Sequence, residues 1–164
     1  MANIQQIKET LLVRAFGFFK IPLIWYVNPT VVAVSKERTE IKIKLTRRTQ
    51  NHLKSMYFGT LAIGADLAGG LLCMKLLKDK GVKASFVFKD MEAKFLKRAD
   101  GDVLFVSPSG QAVANLVDRV ADSPERQEEV VEVKALVPSR YGEDPVAIFR
   151  LTLSVKRIDR KTLT

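Results

Sequence analysis

The run from Met56 to Met74 constrains this chain most: nineteen residues that carry a single charge, Asp66. Four glycines fall within it, Gly59, Gly64, Gly69 and Gly70, and no proline does. As a helix the run spans about 28 Å, long enough to cross a bilayer. Asp66 lies near its centre, where insertion costs roughly 2.5–3.5 kcal/mol. The flanking segments read as strands of a soluble sheet, and no other segment offers a partner span. A helix that is apolar all round is also what a fully buried core helix looks like. The pattern therefore predicts a core helix and no membrane span.

The surrounding segments supply the layers that would bury it. Residues 3–19 have helical spacing, with Asn3 as a cap and Ile4, Ile7, Leu11, Arg14/Ala15 and Phe18 in one stripe. Pro22 stops or bends this helix. The stretch Phe16 to Val27 is very apolar, and two readings stand: it packs over a sheet, which is favoured, or it lies on a membrane or a lipid tail. Val31 to Ser35 and Thr39 to Thr46 read as strands joined by the short hairpin Lys36-Glu37-Arg38. The second alternates, with Ile41, Ile43 and Leu45 on one face and Glu40, Lys42 and Lys44 on the other. Arg47 to Ser55 is a polar loop. Val82 to Ala99 is long enough to bend, with Val87, Met91, Ala93 and Phe95 on one inward face. Ala99-Asp100-Gly101-Asp102 is a turn, and Val103 to Ser107 pairs back. Pro108 to Gln127 is helical, with Val113, Leu116, Val117 and Val120 on one side. Glu129 to Val137 and Val146 to Ile158 alternate as strands, around a turn at Gly142. The order predicts one α+β domain over residues 1–164: an antiparallel sheet with a central helix on one face and the N-terminal helix, 1–22, packed on the sheet.

Charge bounds the partners. The formal net charge is +9, which favours anionic partners without choosing among nucleic acid, an acidic membrane surface and phosphate-bearing small molecules. Three basic groups stand out: Lys36 to Arg48, Lys94 to Arg98, and Lys156, Arg157, Arg160 and Lys161. Cys73 is the one cysteine and His52 the one histidine, so neither an internal disulfide nor a conventional zinc site is expected. Lys8, Glu9 and Arg14 break any signal-peptide pattern, which makes a cytoplasmic location the expectation. Phosphate-loop, dinucleotide-binding and serine-elbow motifs do not occur.

Asp66 remains. Its neighbours one turn away are Ala62, Ile63, Gly69 and Gly70, three of them small, so a substrate has room to reach the carboxylate. A carboxylate on a buried helix is costly unless it is paired or used. The residues alone leave two roles open: a hydrogen-bond acceptor for a loop or partner chain, or a catalytic acid or base.

The segment Asn51 to Asp66 resembles the central-helix motif of hot-dog-fold thioesterases, with Asn51, Gly59 and Asp66 at matching spacing and Tyr57-Phe58 where that family has His-Gly. Met91 to Asp102 is similar to the strand that follows the helix, and the "Tyr-Phe-Gly…Ala-Asp" form is closest to a thioesterase-like branch of unknown function. The resemblance implies a hot-dog fold and hydrolysis of an acyl thioester, usually acyl-CoA. Asp66 would be general base or nucleophile, the Gly59 N–H would hold the thioester oxygen, and Asn51 would orient water or carbonyl across a dimer interface. Tyr57 and Phe58 would line the substrate site, and Arg47, Arg48, Lys97 and Arg98 would meet the CoA phosphates. It implies a homodimer or tetramer, no cofactor and no metal. The alternatives are a non-catalytic acyl or lipid binder, a hot-dog dehydratase or isomerase, for which His52 is poorly placed, and a nucleic-acid-binding domain, which only the charge suggests; no specific nucleic-acid partner is expected.

Overall fold

The computed structural model describes residues 3–158. The sequence-predicted basic residues Arg160 and Lys161 lie outside the described residues, as do residues 1 and 2. In chain order the elements are α1 (Ile4–Lys20), α2 (Pro22–Val27), β1 (Thr30–Val34), β2 (Thr39–Ile43), α3 (Phe58–Asp79), β3 (Ala84–Phe95), β4 (Val103–Ser107), α4 (Gly110–Asp122), β5 (Gln127–Leu136), α5 (Pro138–Tyr141) and β6 (Pro145–Arg157). The strands form one antiparallel sheet in the order β1-β2-β4-β5-β6-β3. Among the described residues β1 and β3 are its edges.

The predicted core helix is α3, shifted two residues later at its start. It is long and apolar enough to cross a membrane, but 61% of its apolar window is buried inside the protein. Small residues set its distance from the sheet. A methyl group on Gly64 would stand 2.2 Å from the Phe105 ring, and one on Gly70 would stand 2.8 Å from the Phe86 ring. The facing sheet residues Phe105, Val131, Val133, Phe149, Leu151 and Leu153 are fully buried. Truncating a buried Phe such as Phe105 or Phe149 to Ala would cost about 3–5 kcal/mol. α4 buries Val113, Leu116, Val117 and Val120, the residues its spacing predicts.

Three local expectations need correction. First, β2 ends at Ile43 rather than Thr46, because the Leu45 N–H donates to Asp102 Oδ1 at 3.0 Å instead of to a strand. Second, β3 carries a bulge between Phe88 and Asp90. The extra residue flips the alternation, so Phe86 and Phe88 share the inner face with Met91, Ala93 and Phe95, while Val87, opposite Ser154, faces outward. β3 also stops at Phe95, where Leu96 and Lys97 both donate to the Val146 carbonyl and the chain turns.

The third correction concerns α1. The helix forms as predicted, with an Asn3–Gln6 capping box, and Pro22 starts α2 as its first residue. The helix runs along the β1 edge, and the apolar stripe points away from the protein. Thr10, Val13 and Gly17 face the protein, while Ile4, Ile7, Leu11, Ala15 and Phe18 are exposed. The inward side is held by polar contacts with the β1 edge. Thr10 Oγ1 accepts from the Val31 N–H at 3.0 Å, Gln6 Nε2 donates to the Val32 carbonyl at 2.5 Å, and Arg14 donates to the Pro29 carbonyl at 2.8 Å. Backbone groups of a sheet edge need partners, and here a helix side chain supplies what a further strand would.

Candidate functional site

α3 carries Asp66 two turns in from its N-terminus, half-buried. The carboxylate accepts no hydrogen bond and joins no ion pair among the described residues. Burial alone pushes its pKa from 3.8 up to about 6, since an apolar surrounding disfavours the ionised form. A group that titrates near neutrality without a structural partner is suited to moving a proton.

The space beside Asp66 follows from the sheet. One turn further along α3, Gly69 lies against Val131, Val133 and Leu151, and Gly70 against Phe86 and Phe88. Asp66 thus projects toward the β6–β3 side. The inner face of β3 continues there through Met91, Ala93 and Phe95, opposite Leu151, Phe149 and Ala147. Met91 is 40% and Phe95 53% exposed, although both sit on the core face. The helix leaves this end of β3 uncovered, and Phe95 meets the buried Phe149 ring edge-on at 6.0 Å between centroids. Met91 and Phe95 form an apolar opening that sequence reading assigned only to the core. The signal was the alternation itself, but no pattern in it distinguishes a covered face from an open one.

The other motif residues gather at the start of α3. Tyr57 is its N-cap, with no side-chain cap hydrogen bond, and Gly59 is its second residue. The first helical acceptance is Leu61 N–H to the Tyr57 carbonyl at 3.1 Å, so the earlier amides, Gly59 included, are the unpaired donors of a helix N-terminus. The Tyr57 ring lies 2.6 Å from where a Gly59 Cβ would stand. Tyr57 and Phe58 are exposed, with ring centroids 4.7 Å apart. Asn51 holds the preceding turn: its Oδ1 accepts from the Leu53 and Ser55 N–H groups at 2.9 and 3.2 Å, and its Nδ2 donates to Ser55 Oγ at 3.1 Å. Gly59 and Asp66 share a helix face but are seven residues, about 10.5 Å, apart along the axis.

The predicted phosphate-binding side chains do not form one group. Arg47 and Arg48 are exposed and line an open groove of about 320 Å³ with Tyr26, Val27, Asn28, Lys44 and Thr46. Arg48 stacks over the Tyr26 ring at 5.6 Å. Arg98 donates to the Leu53 carbonyl at 2.5 Å, which ties the end of β3 to the Asn51 loop. Lys97 is engaged by Asp144 and lies over the Tyr141 ring. His52 is exposed on the loop. Cys73 is buried, which raises its thiol to about 12 and removes it as a nucleophile at neutral pH. No group of three His, Cys, Asp or Glu able to hold a metal occurs among the described residues.

The fold is that of known structures. A protein of unknown function from Chlorobaculum tepidum superposes with a TM-score of 0.77 at 11% identity, covering 93% of this chain and 97% of that one. A Pseudomonas aeruginosa protein of unknown function, described as a probable thioesterase, gives 0.71 at 20% identity, covering 91% and 96%. A Haemophilus influenzae thioesterase gives 0.64 at 16% identity, covering 84% and 85%. These likenesses establish a hot-dog fold, with the antiparallel sheet set against a long helix. No curated protein matches the sequence. The model of the family described as domain of unknown function DUF4442 matches residues 9–155, and the chain belongs to that family.

Proposed function

We propose that the chain is a single hot-dog domain that hydrolyses an acyl thioester of the acyl-CoA class, with Asp66 as its general base. The observation that carries this reading is Asp66 itself: a half-buried carboxylate with no protein partner among the described residues, raised to about 6, one turn from the glycines that lie against β5, β6 and β3. The ionised carboxylate takes a proton from water as the water oxygen bonds to the thioester carbonyl carbon. The C–S bond then breaks, and the thiolate leaves with that proton as free thiol, giving a carboxylic acid. Direct attack by Asp66, followed by hydrolysis of the resulting anhydride, yields the same products.

The Gly59 N–H serves as the oxyanion donor in this reading. At about 10.5 Å along one helix it is too far from Asp66 to act on the same carbonyl, so the working site pairs Asp66 of one chain with Gly59 and Asn51 of a second copy. Asn51 keeps one amide N–H beyond its bond to Ser55 for orienting water or carbonyl. The second copy joins through the open β3 edge, which makes a homodimer the minimal unit and a tetramer its extension. Tyr57 and Phe58 contact substrate beside Gly59. Arg47, Arg48 and Arg98 meet the phosphates, and Lys97 joins them only by exchanging Asp144. The cell compartment proposed is the cytoplasm.

One observation favours a second reading, a non-catalytic acyl binder: Tyr57-Phe58 stands where hot-dog thioesterases carry His-Gly. A panel of acyl-CoA esters of graded chain length, followed by thiol release, separates the two. Turnover of at least one ester that rises as pH passes about 6 supports hydrolysis. Saturable binding of the esters without thiol release leaves only the binder.

A further inference from the structure

The N-terminal helix pair turns its apolar side away from the protein. On α1, Ile4 is 71% and Phe19 76% exposed, and Ile7, Leu11, Leu12 and Phe18 are exposed with them. On α2, Ile24 and Val27 are buried while Leu23, Trp25 and Tyr26 are exposed. Phe18 links the two helices, edge-on to Trp25 at 5.6 Å. Gly17 lets them close, since a methyl group there would stand 2.6 Å from the Trp25 backbone nitrogen. Three polar residues of α1, Gln6, Thr10 and Arg14, are spent on the β1 edge, while Gln5, Lys8 and Lys20 stay on the exposed side. Contiguous exposed apolar surface on this scale marks an interaction site.

Charge selects the occupant. From residue 10 to 36 the sequence has no acidic side chain but has Arg14, Lys20 and Lys36, and from 41 to 65 it has none but has Lys42, Lys44, Arg47, Arg48 and Lys54. Glu9, the acid within α1, is neutralised by Lys75 at 2.7 Å. The groove holding Lys44, Arg47 and Arg48 opens against α2, with Arg48 on the ring of Tyr26. An apolar face with Trp and Tyr beside cations and no acids is the pattern of a helix lying in an anionic lipid interface. A second copy of this chain would bring a like-charged surface against it, which costs association.

We propose that α1 and α2 form a peripheral anchor that lies on an anionic bilayer, with the exposed apolar side chains in the acyl boundary and Lys20, Arg47 and Arg48 at the phosphates. The surface does not involve Asp66, and it shares only Arg47 and Arg48 with the phosphate contacts proposed above. Trp25 is the sole tryptophan, so its emission reports insertion directly. The full chain is incubated with phosphatidylcholine vesicles, with and without phosphatidylserine, and followed by co-sedimentation and Trp25 emission. Binding with a blue shift is expected on anionic vesicles, weaker on neutral ones and reduced by salt. The double variant Leu12→Glu/Phe19→Glu, altered only at exposed positions, is expected to bind at least about tenfold more weakly with an unchanged melting temperature. A wild-type chain that ignores both vesicle types, or a double variant that binds as well as wild type, overturns the proposal. It is overturned equally if vesicles are ignored and the double variant halves the particle mass in light scattering, because the face is then a contact between copies.

Discussion

The two edges of the sheet are finished in opposite ways. At β1, a helix lies alongside and its Gln6, Thr10 and Arg14 satisfy backbone groups of Pro29, Val31 and Val32. At β3, twelve residues form an edge that no other described strand pairs with, and Asp66 on the core helix has no partner among the described residues. The first edge is closed by polar contacts at the expense of an outward apolar face. The second keeps its apolar residues Met91 and Phe95 on the core side yet open. An edge that is sealed gives stability, and an edge left open, beside an unpartnered carboxylate, is where assembly and chemistry have room.

The comparison breaks most sharply at β3. Leu96 N–H donates to the Val146 carbonyl, so alternation turns the Glu92 and Lys94 amides toward β6 and the Met91, Ala93 and Phe95 amides toward the open edge. Ala93→Pro removes an outward donor and spares the ladder to β6. It is expected to convert a dimer to a monomer in light scattering and to remove hydrolysis with it. A variant that remains dimeric at the same concentrations places the interface elsewhere.

The next effect is electrostatic. Asp66 titrates at about 6 in the fold against an ordinary 3.8, so the fold disfavours its ionised form. Above pH 6 that group lowers stability by roughly 2–3 kcal/mol, and the penalty fades as pH falls toward 4. Asp66→Asn should therefore raise the melting temperature by several degrees at pH 8 and leave it nearly unchanged at pH 4. A lower melting temperature at pH 8 would mean that the carboxylate is a structural acceptor.

The smallest effect belongs to the sealed edge. Thr10→Val keeps shape but leaves the buried Val31 N–H without an acceptor, which costs about 1–2 kcal/mol. Thermal unfolding should drop by a few degrees while thiol release per folded molecule is unchanged. A drop in activity without a drop in stability would tie the two edges together.

Much of this contrast is legible in the sequence, and the illegible part has physical causes. The alternation of Ile41 and Ile43 and the 3–4 spacing of Val113, Leu116, Val117 and Val120 identify buried faces because each pattern has one apolar side and the sheet needs it. Asp66 is found for the same reason: one charge in an uncharged run has few explanations. α1 defeats the method, since periodicity reveals a stripe but not which way it points, and here hydrogen bonds to β1 outweigh apolar burial. The Phe88/Asp90 bulge defeats it too, because one extra residue reverses the parity that assigned Val87 to the core. Asn51 was legible as a motif residue, but its bonds to Leu53 and Ser55 depend on loop geometry that spacing does not encode.

The central claim is that Asp66 removes a proton from water at this site. Thiol release from the best acyl-CoA ester of the panel, measured with wild type and Asp66→Asn at matched folded concentration from pH 5 to 8, tests it most directly. The account predicts a wild-type rate that climbs through pH about 6 and a variant without detectable turnover that still folds and assembles. Equal rates for the two proteins across that range would contradict it.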